Sequence, residues 1–256
     1  MANRLMKVLA LAIAVTGLSV GAVHAAGDVK HPESNDWSHA GPFGTYDQHA
    51  VQRGFQVYKE VCANCHGLKY VAFRNLLQIG FSEDQAKAIA AEYSVPAEPN
   101  LDGDIEDRAA KLFDYFPSPF PNAKAAAASN GGVAPPDLSL MSKARADGDN
   151  YIKSLLTGYA TDGDNHHCSD TNHYNPYFPG GCIAMGAPLF DDLVEYADGT
   201  PATTEQMAHD VASFLAWAAE PHMEERKQMG VKVILFLIFL SVLLYLAKKR
   251  IWGRLH

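Results

Sequence analysis

The sequence predicts a mainly α-helical body with long loop insertions, followed by one C-terminal transmembrane helix. Three observations carry that prediction. Apolar residues recur at helical spacing in two widely separated stretches, 51–58 and 207–218. The chain between them is rich in Pro, Gly, Asp and Asn, and 231–247 is apolar apart from Lys232 and Ser241.

The N-terminus carries Arg4 and Lys7, an apolar run over 8–20, and small residues that place Val23 and Ala25 for cleavage after Ala25. The run is short for a membrane helix. Residues 1–25 are therefore expected to be a cleaved signal peptide, and 26–228 an exported body in an oxidising compartment, where disulfides persist.

Val51, Phe55 and Tyr58 predict an amphipathic helix that runs directly into Cys62-Ala63-Asn64-Cys65-His66. Two thiols three positions apart with a histidine immediately behind form the pattern that receives a covalent c-type haem. Each thiol can add to a haem vinyl group, which places His66 under the iron as the proximal ligand. A zinc site would need a second ligand pair at short range, and a thioredoxin-like redox pair would need a βαβ setting. Neither is visible nearby.

Modest helical stretches follow around 82–93 and 151–156, with a short helix over 125–128, and no internal repeat is found. Long loops inside a compact domain are usually functional, and these are expected to wrap the haem, whose apolar face substitutes for a peptide core. Thr203 and Gln206 form a candidate capping box ahead of Met207, Val211, Phe214, Leu215 and Ala218, and Pro221 ends that helix. One helix entering the haem motif and one closing the body are what a c-type cytochrome fold needs to cross and pack.

A filled sixth position on the iron favours electron transfer, whereas an open one binds small ligands, as in a haem peroxidase. A Met thioether is the usual filling and raises the reduction potential. Beyond the leader the candidates are Met141, Met185, Met207, Met223 and Met229. Met207 lies on the core face of the closing helix, Met223 and Met229 lie by the membrane, and Met141 follows Leu138 and Leu140 as a core residue. Met185 is favoured because Ala184, Gly186 and Ala187 allow close approach to a porphyrin and Pro188 stiffens the loop. Met141, His166, His167 and His173 stay open as alternatives.

Cys168 and Cys182 remain, and an even leftover pair in an exported protein reads as a disulfide. It would pin the loop that carries Met185. The competing reading is a metal site with His166, His167 or His173.

At the other end, the 17 positions of 231–247 span roughly 26 Å as a helix, at about 1.5 Å per residue. Met229 and Gly230 extend the span, and Lys232 can snorkel to the interface. Lys248, Lys249, Arg250 and Arg254 mark the cytoplasmic side. Residues 229–247 are thus expected to be the anchor and 248–256 a cytoplasmic tail. The formal charge of the chain is −8, and setting aside the leader's two cations, the tail's four and Lys232 leaves −15 on the remainder. Such a body does not suit nucleic acid or anionic membrane surfaces; it suits a basic protein partner.

Several blocks beyond the haem motif carry a family likeness: Tyr70-Val71-Ala72-Phe73-Arg74-Asn75-Leu76, Asp114-Tyr115-Phe116-Pro117-Ser118-Pro119-Phe120-Pro121-Asn122, Pro135-Pro136-Asp137-Leu138-Ser139 and Ser154-Leu155-Leu156-Thr157-Gly158-Tyr159. With Asn175-Pro176-Tyr177-Phe178-Pro179, Asp198-Gly199-Thr200-Pro201-Ala202-Thr203 and Trp217-Ala218-Ala219-Glu220-Pro221, the order resembles the cytochrome c1 family over nearly the whole exported chain.

The resemblance implies the haem-bearing subunit of a cytochrome bc1 complex. It implies one covalent haem c, with Met185 as distal iron ligand, Pro136 lying against the haem, and Arg145 and Tyr151 at a propionate. From the residues alone, Arg145 reads as a surface cation beside Asp147 and Asp149. The implied partners are a cytochrome b and a Rieske iron–sulfur subunit, within a dimeric complex, and a soluble cytochrome c acceptor. The implied place is a bacterial inner membrane with the haem body in the periplasm, serving respiratory or photosynthetic electron transport. The chain would be no enzyme on its own. The 161–182 segment departs from the mitochondrial pattern, so the Cys168–Cys182 pairing rests on the compartment, with related bacterial members in support.

Overall fold

The computed structural model describes residues 29–159 and 168–254. The expected leader, His166 and His167 lie outside the described residues, so the leader's cleavage and those two histidines stay expectations.

The haem-motif helix α1 spans Gln48–Glu60. Its first turn is capped by Asp47, whose Oδ1 accepts from the N–H groups of His49 at 3.0 Å and Ala50 at 3.3 Å. Its buried stripe is Ala50, Val51, Gly54, Phe55, Val57 and Tyr58, the face that the apolar spacing predicts. Helix α2 (Glu83–Ala91) starts at the Ser82 cap with Gln85 answering to the Ser82 N–H, and α3 spans Ala123–Ser129. The short α4 (Met141–Ala144) leads to α5 (Gly148–Thr157), which begins earlier than predicted because Asp147 and Gly148 both take positive φ and turn the chain into the helix. Two minimal antiparallel hairpins punctuate the loops. In the first, β1 (Ser94–Pro96) pairs with β2 (Asp107–Ala109); in the second, β3 (His173–Tyr174) pairs with β4 (Cys182–Ile183).

The closing helix α6 spans Thr204–Ala219, and every residue of the predicted face, Met207, Val211, Phe214, Leu215 and Ala218, is buried. Only half of the expected capping box forms. Thr203 Oγ1 accepts from the Gln206 N–H at 3.2 Å, but the Gln206 side chain turns to Asp210 Oδ1 at 3.0 Å. Helices α1 and α6 form the main packing pair, and α4 and α5 lie against α6 as well. At the crossing, a Cβ on Gly54 would stand 2.0 Å from the Asp210 carbonyl oxygen and 2.7 Å from Phe214 Cβ, so the approach requires glycine. Phe55, Tyr58, Phe73, Phe116 and Phe214 close the space beside it as an aromatic cluster, with Phe73 and Phe116 centroids 4.2 Å apart.

An ion pair bridges the same two helices. Asp210 is fully buried, and Arg53 approaches it with Nε at 2.8 Å and Nη2 at 3.1 Å while Nη1 reaches Asp198 at 2.9 Å. Burial drives the Asp210 carboxyl upward, yet the surrounding donors, Arg53 and Gln206 among them, hold it below the usual carboxylate value.

The final helix α7 spans Met223–Trp252, longer at both ends than the expected 229–247. Its 30 residues make a rod of about 45 Å at 1.5 Å per residue. Only Met223 is buried, and the apolar side chains from Val233 to Leu246 face outward, so the helix is long and apolar enough to cross a membrane. Residues 37–46, a strap ahead of α1, tie the base of α7 to the body. Lys227 Nζ donates to the carbonyls of His39 at 2.6 Å and Gly44 at 3.0 Å, and Glu224 Oε1 accepts from the Tyr46 N–H at 2.8 Å. The same strap reaches α5 through Trp37 Nε1 to Asn150 Oδ1 at 2.8 Å and His39 Nε2 to Asp149 Oδ2 at 2.8 Å.

Candidate functional site

Helix α1 ends at Glu60, and the chain tightens at once into a 3₁₀ turn over Cys62–Asn64. The Cys62 carbonyl accepts from the N–H groups of Cys65 at 3.1 Å and His66 at 2.9 Å, which sets both thiols and the imidazole on one rigid turn. The two cysteines are not bonded to each other. Burial, and then the neighbouring Cys65, push the Cys62 thiol up to about 12, the opposite of the lowered value that a reactive redox pair needs.

His66 Nδ1 lies 2.7 Å from the carbonyl oxygen of Pro136. A carbonyl can only accept, so Nδ1 carries the proton and Nε2 keeps its lone pair free for a metal. Burial lowers the His66 pKa against the opposing pull of Pro136 and Asp137, which favours the neutral, ligating imidazole. The Pro136 loop is stapled to the motif along its length. The Leu138 N–H donates to Gly67 at 2.9 Å, Asp137 Oδ2 accepts from the Lys69 N–H at 2.9 Å, and Ser139 Oγ accepts from the Tyr70 N–H at 3.1 Å. A Cβ on Gly67 would stand 3.0 Å from Asp137 Oδ2, so the motif and the loop approach closely.

A second group gathers around Met185. The phenol of Tyr159 donates to the Met185 carbonyl at 2.9 Å, and the guanidinium of Arg145 donates to the carbonyl of Ala144 at 3.2 Å. Burial raises the phenols of Tyr159 and Tyr151, and Arg145 opposes it at Tyr151. Asp149 is engaged by His39 and by the Ser142 hydroxyl, and Arg145 makes no carboxylate pair among the described residues. Arg145 is exposed, as a surface cation beside Asp147 and Asp149 would be, and its guanidinium is left free of carboxylates among the described residues.

The segment leading to Met185 is fixed from several sides. Cys168 and Cys182 are joined by a disulfide with Cα atoms 5.6 Å apart, and His173 pairs with Ile183 across the second hairpin. Asn175 Nδ2 donates to the Leu155 carbonyl at 2.7 Å, which docks the loop on α5. The alternative metal site is not formed among the described residues, where no group of three or more His, Cys, Asp or Glu could hold an ion. Met141 sits half-buried at the start of α4 against the core, and Met207 is fully buried on α6.

Pro136 thus joins His66 and Tyr159 joins Met185, and α1, which runs into the first group, and α5, which precedes Tyr159, both pack on α6. This donor set fits a porphyrin: two unpaired thiols on one turn, an imidazole with Nε2 free, a thioether on a pinned loop and a guanidinium that can pair a propionate bidentately. Tyr159, Asp137, Ser139 and Asn175 were not among the residues singled out from the sequence. Each acts through one long-range bond and none belongs to a spaced pattern; the signal that could have found them is that all four lie in blocks that carry the family likeness.

A helical body of this kind with a Cys-X-X-Cys-His turn defines a c-type cytochrome. The particular family follows from comparison with known proteins: residues 37–255 match the Cytochrome C1 family, and the chain belongs to it. It is 51% identical over 233 residues to cytochrome c1 of Rhodospirillum rubrum, covering 85% of this chain and 86% of that one. It is 48% identical to "Cytochrome c1, heme protein, mitochondrial" of Saccharomyces cerevisiae, over 92% of this chain and 77% of that one. It is 46% identical to "Cytochrome b-c1 complex catalytic subunit, mitochondrial" of Candida albicans, over 98% and 91% respectively. Membership of a cytochrome family makes this a haem protein with a role in electron transfer.

Proposed function

We propose that this chain is the membrane-anchored one-electron carrier of a quinol:cytochrome c reductase, receiving electrons from a Rieske iron–sulfur protein and passing them to a soluble cytochrome c. The observation that carries the reading is the His66 imidazole held by the Pro136 carbonyl with Nε2 free, one residue beyond the second thiol of the motif. A haem c bound here supplies reversible one-electron cycling of its iron. Cys62 and Cys65 would fix it covalently, His66 and Met185 would be its axial ligands, Pro136 would lie against its face, and Arg145 with Tyr151 would hold a propionate. The carrier role asks for no nucleophile and no general base. Quinol chemistry would belong to the assembled complex, in which a cytochrome b subunit and the Rieske protein accompany this chain, as a dimer of such assemblies.

The relative named for the cytochrome b-c1 complex supports that company. The apolar surface of α7 supports an anchor, with the body 26–228 on the periplasmic face of the inner membrane and 248–256 in the cytoplasm after removal of 1–25. The basic residues Lys248, Lys249 and Arg250 at the far end of α7 support the same orientation. A visible-spectrum redox titration of the purified complex tests the reading. One reversible one-electron c-type component that is re-oxidised rapidly by added cytochrome c is the expected result. A reduced form that binds carbon monoxide and reacts with peroxide instead would assign the chain to a ligand-binding haem enzyme.

A further inference from the structure

The base of α7 forms one wall of a groove whose other wall is the 41–44 turn. Its lining includes Pro42, Phe43, Glu224, Gln228, Val231 and Lys232. Phe43 is 79% exposed, yet the backbone on either side of it is fixed, because Lys227 Nζ bonds the His39 and Gly44 carbonyls and Glu224 bonds the Tyr46 N–H. An aromatic ring held rigidly in water gains nothing there; at a membrane interface it gains both apolar contact and a favoured depth.

That depth is set by α7 itself. The outward apolar surface opens with Met229 and becomes unbroken from Val233, one position beyond Lys232, so the groove lies where the headgroups of the leaflet must pass. Glu224 at the body end is occupied by the strap, and Lys227 is committed to two carbonyls. Lys232, by contrast, makes no ion pair or hydrogen bond among the described residues. A wholly apolar transmembrane helix would cover the apolar wall and leave that ammonium unmatched. A phospholipid matches both, with its phosphate on the cation and its upper chain against Phe43, Pro42 and Val231.

We propose that the groove between the 41–44 turn and the base of α7 binds a phospholipid of the periplasmic leaflet, with Lys232 on the phosphate and Phe43 on the upper acyl chain, so that the haem body touches the membrane at a second point besides the helix. The inference rests on α7 spanning the bilayer as read above. It is tested by placing a photo-crosslinking benzoylphenylalanine at position 43 in the complete complex in native membranes, with the same residue at 238 in the middle of the helix as reference. The expected result is a phospholipid adduct at 43 that falls roughly fivefold on Lys232→Gln, with the adduct at 238 unchanged. Lipid at 238 but only a protein adduct, or none, at 43 would overturn the groove, and an adduct at 43 indifferent to Lys232→Gln would overturn the phosphate contact. Lipid at neither position would overturn the membrane reading of α7 itself.

Discussion

The phenol of Tyr159 and the main-chain carbonyl of Met185 are joined by a hydrogen bond of 2.9 Å across 26 positions of sequence. Tyr159 stands just beyond α5 and Met185 just beyond β4, so the bond fastens the candidate sixth-ligand loop to the helical body. Tyr159→Phe keeps the ring and removes only this bond, a net loss of about 1 kcal/mol, which is roughly a fivefold rise in any detached fraction of Met185. Partial carbon monoxide binding by the reduced haem and a weakened thioether-to-iron absorption band are expected. Met185→Leu calibrates the measurement, since it should bind carbon monoxide fully and lower the midpoint potential by on the order of 0.1 V or more, within the span of about 0.8 V that axial ligands command. A silent Tyr159→Phe beside a responsive Met185→Leu would leave the bond without a ligand-positioning role.

The Cys168–Cys182 disulfide closes a loop of sequence separation 14, immediately ahead of Met185. For a loop of that size the chain-entropy model gives about 3 kcal/mol. The double substitution Cys168→Ser, Cys182→Ser is expected to lower the urea midpoint of the haem body and to loosen thioether ligation together. An unchanged midpoint would show that the second hairpin and Asn175 suffice to hold the loop.

Asp210 is buried against Arg53, and breaking one side of such a pair leaves the other charge stranded. Asp210→Leu alone is expected to cost about 3 kcal/mol, with most of it recovered in the double variant Arg53→Met, Asp210→Leu. The pair also makes stability pH-dependent. Because the folded carboxyl titrates below its unfolded value, its contribution is full above the unfolded pKa near 4 and is lost as the pH falls through the lower folded value. Asp198 acts in the same direction, held at about 2 chiefly by the Thr200 backbone N–H and then by Arg53. Acid denaturation curves of the wild type and the double variant should therefore diverge between about pH 2 and pH 4 and run parallel above it.

The formal excess of acid on the body bears on encounter rates. Complementary potentials raise association by about 10 to 1,000-fold at low salt. The bimolecular rate with a basic cytochrome c is expected to fall at least about tenfold between low and physiological ionic strength. Stopped-flow kinetics across a salt series measure it, and a flat profile would remove electrostatics from the docking step.

Much of this architecture is legible in the chain because it rests on periodicity or on fixed spacing. Val51, Phe55 and Tyr58 announce α1, Met207 to Ala218 announce α6, and the Cys62 to His66 run announces the chemistry of the site. Interactions set by distant residues leave no such trace. Arg53 finds Asp210 across 157 positions, and the strap from Trp37 to Tyr46 finds α5 and α7 through single side chains. The early start of α7 was hidden for another reason: Glu224 to Gln228 are polar, so an apolar-run criterion begins the helix too late although its backbone is continuous from Met223. Tyr159 was concealed because its phenol acts on a carbonyl, and a carbonyl belongs to every residue alike.

The central claim is that Cys62 and Cys65 carry a covalent porphyrin above the anchor. Denaturing the purified polypeptide, extracting it with acidified organic solvent and recording the alkaline pyridine spectrum of what remains tests this most directly. The account predicts one haem per chain retained with the c-type spectrum, lost when both cysteines are replaced by serine. A colourless polypeptide with all pigment in the solvent would contradict it.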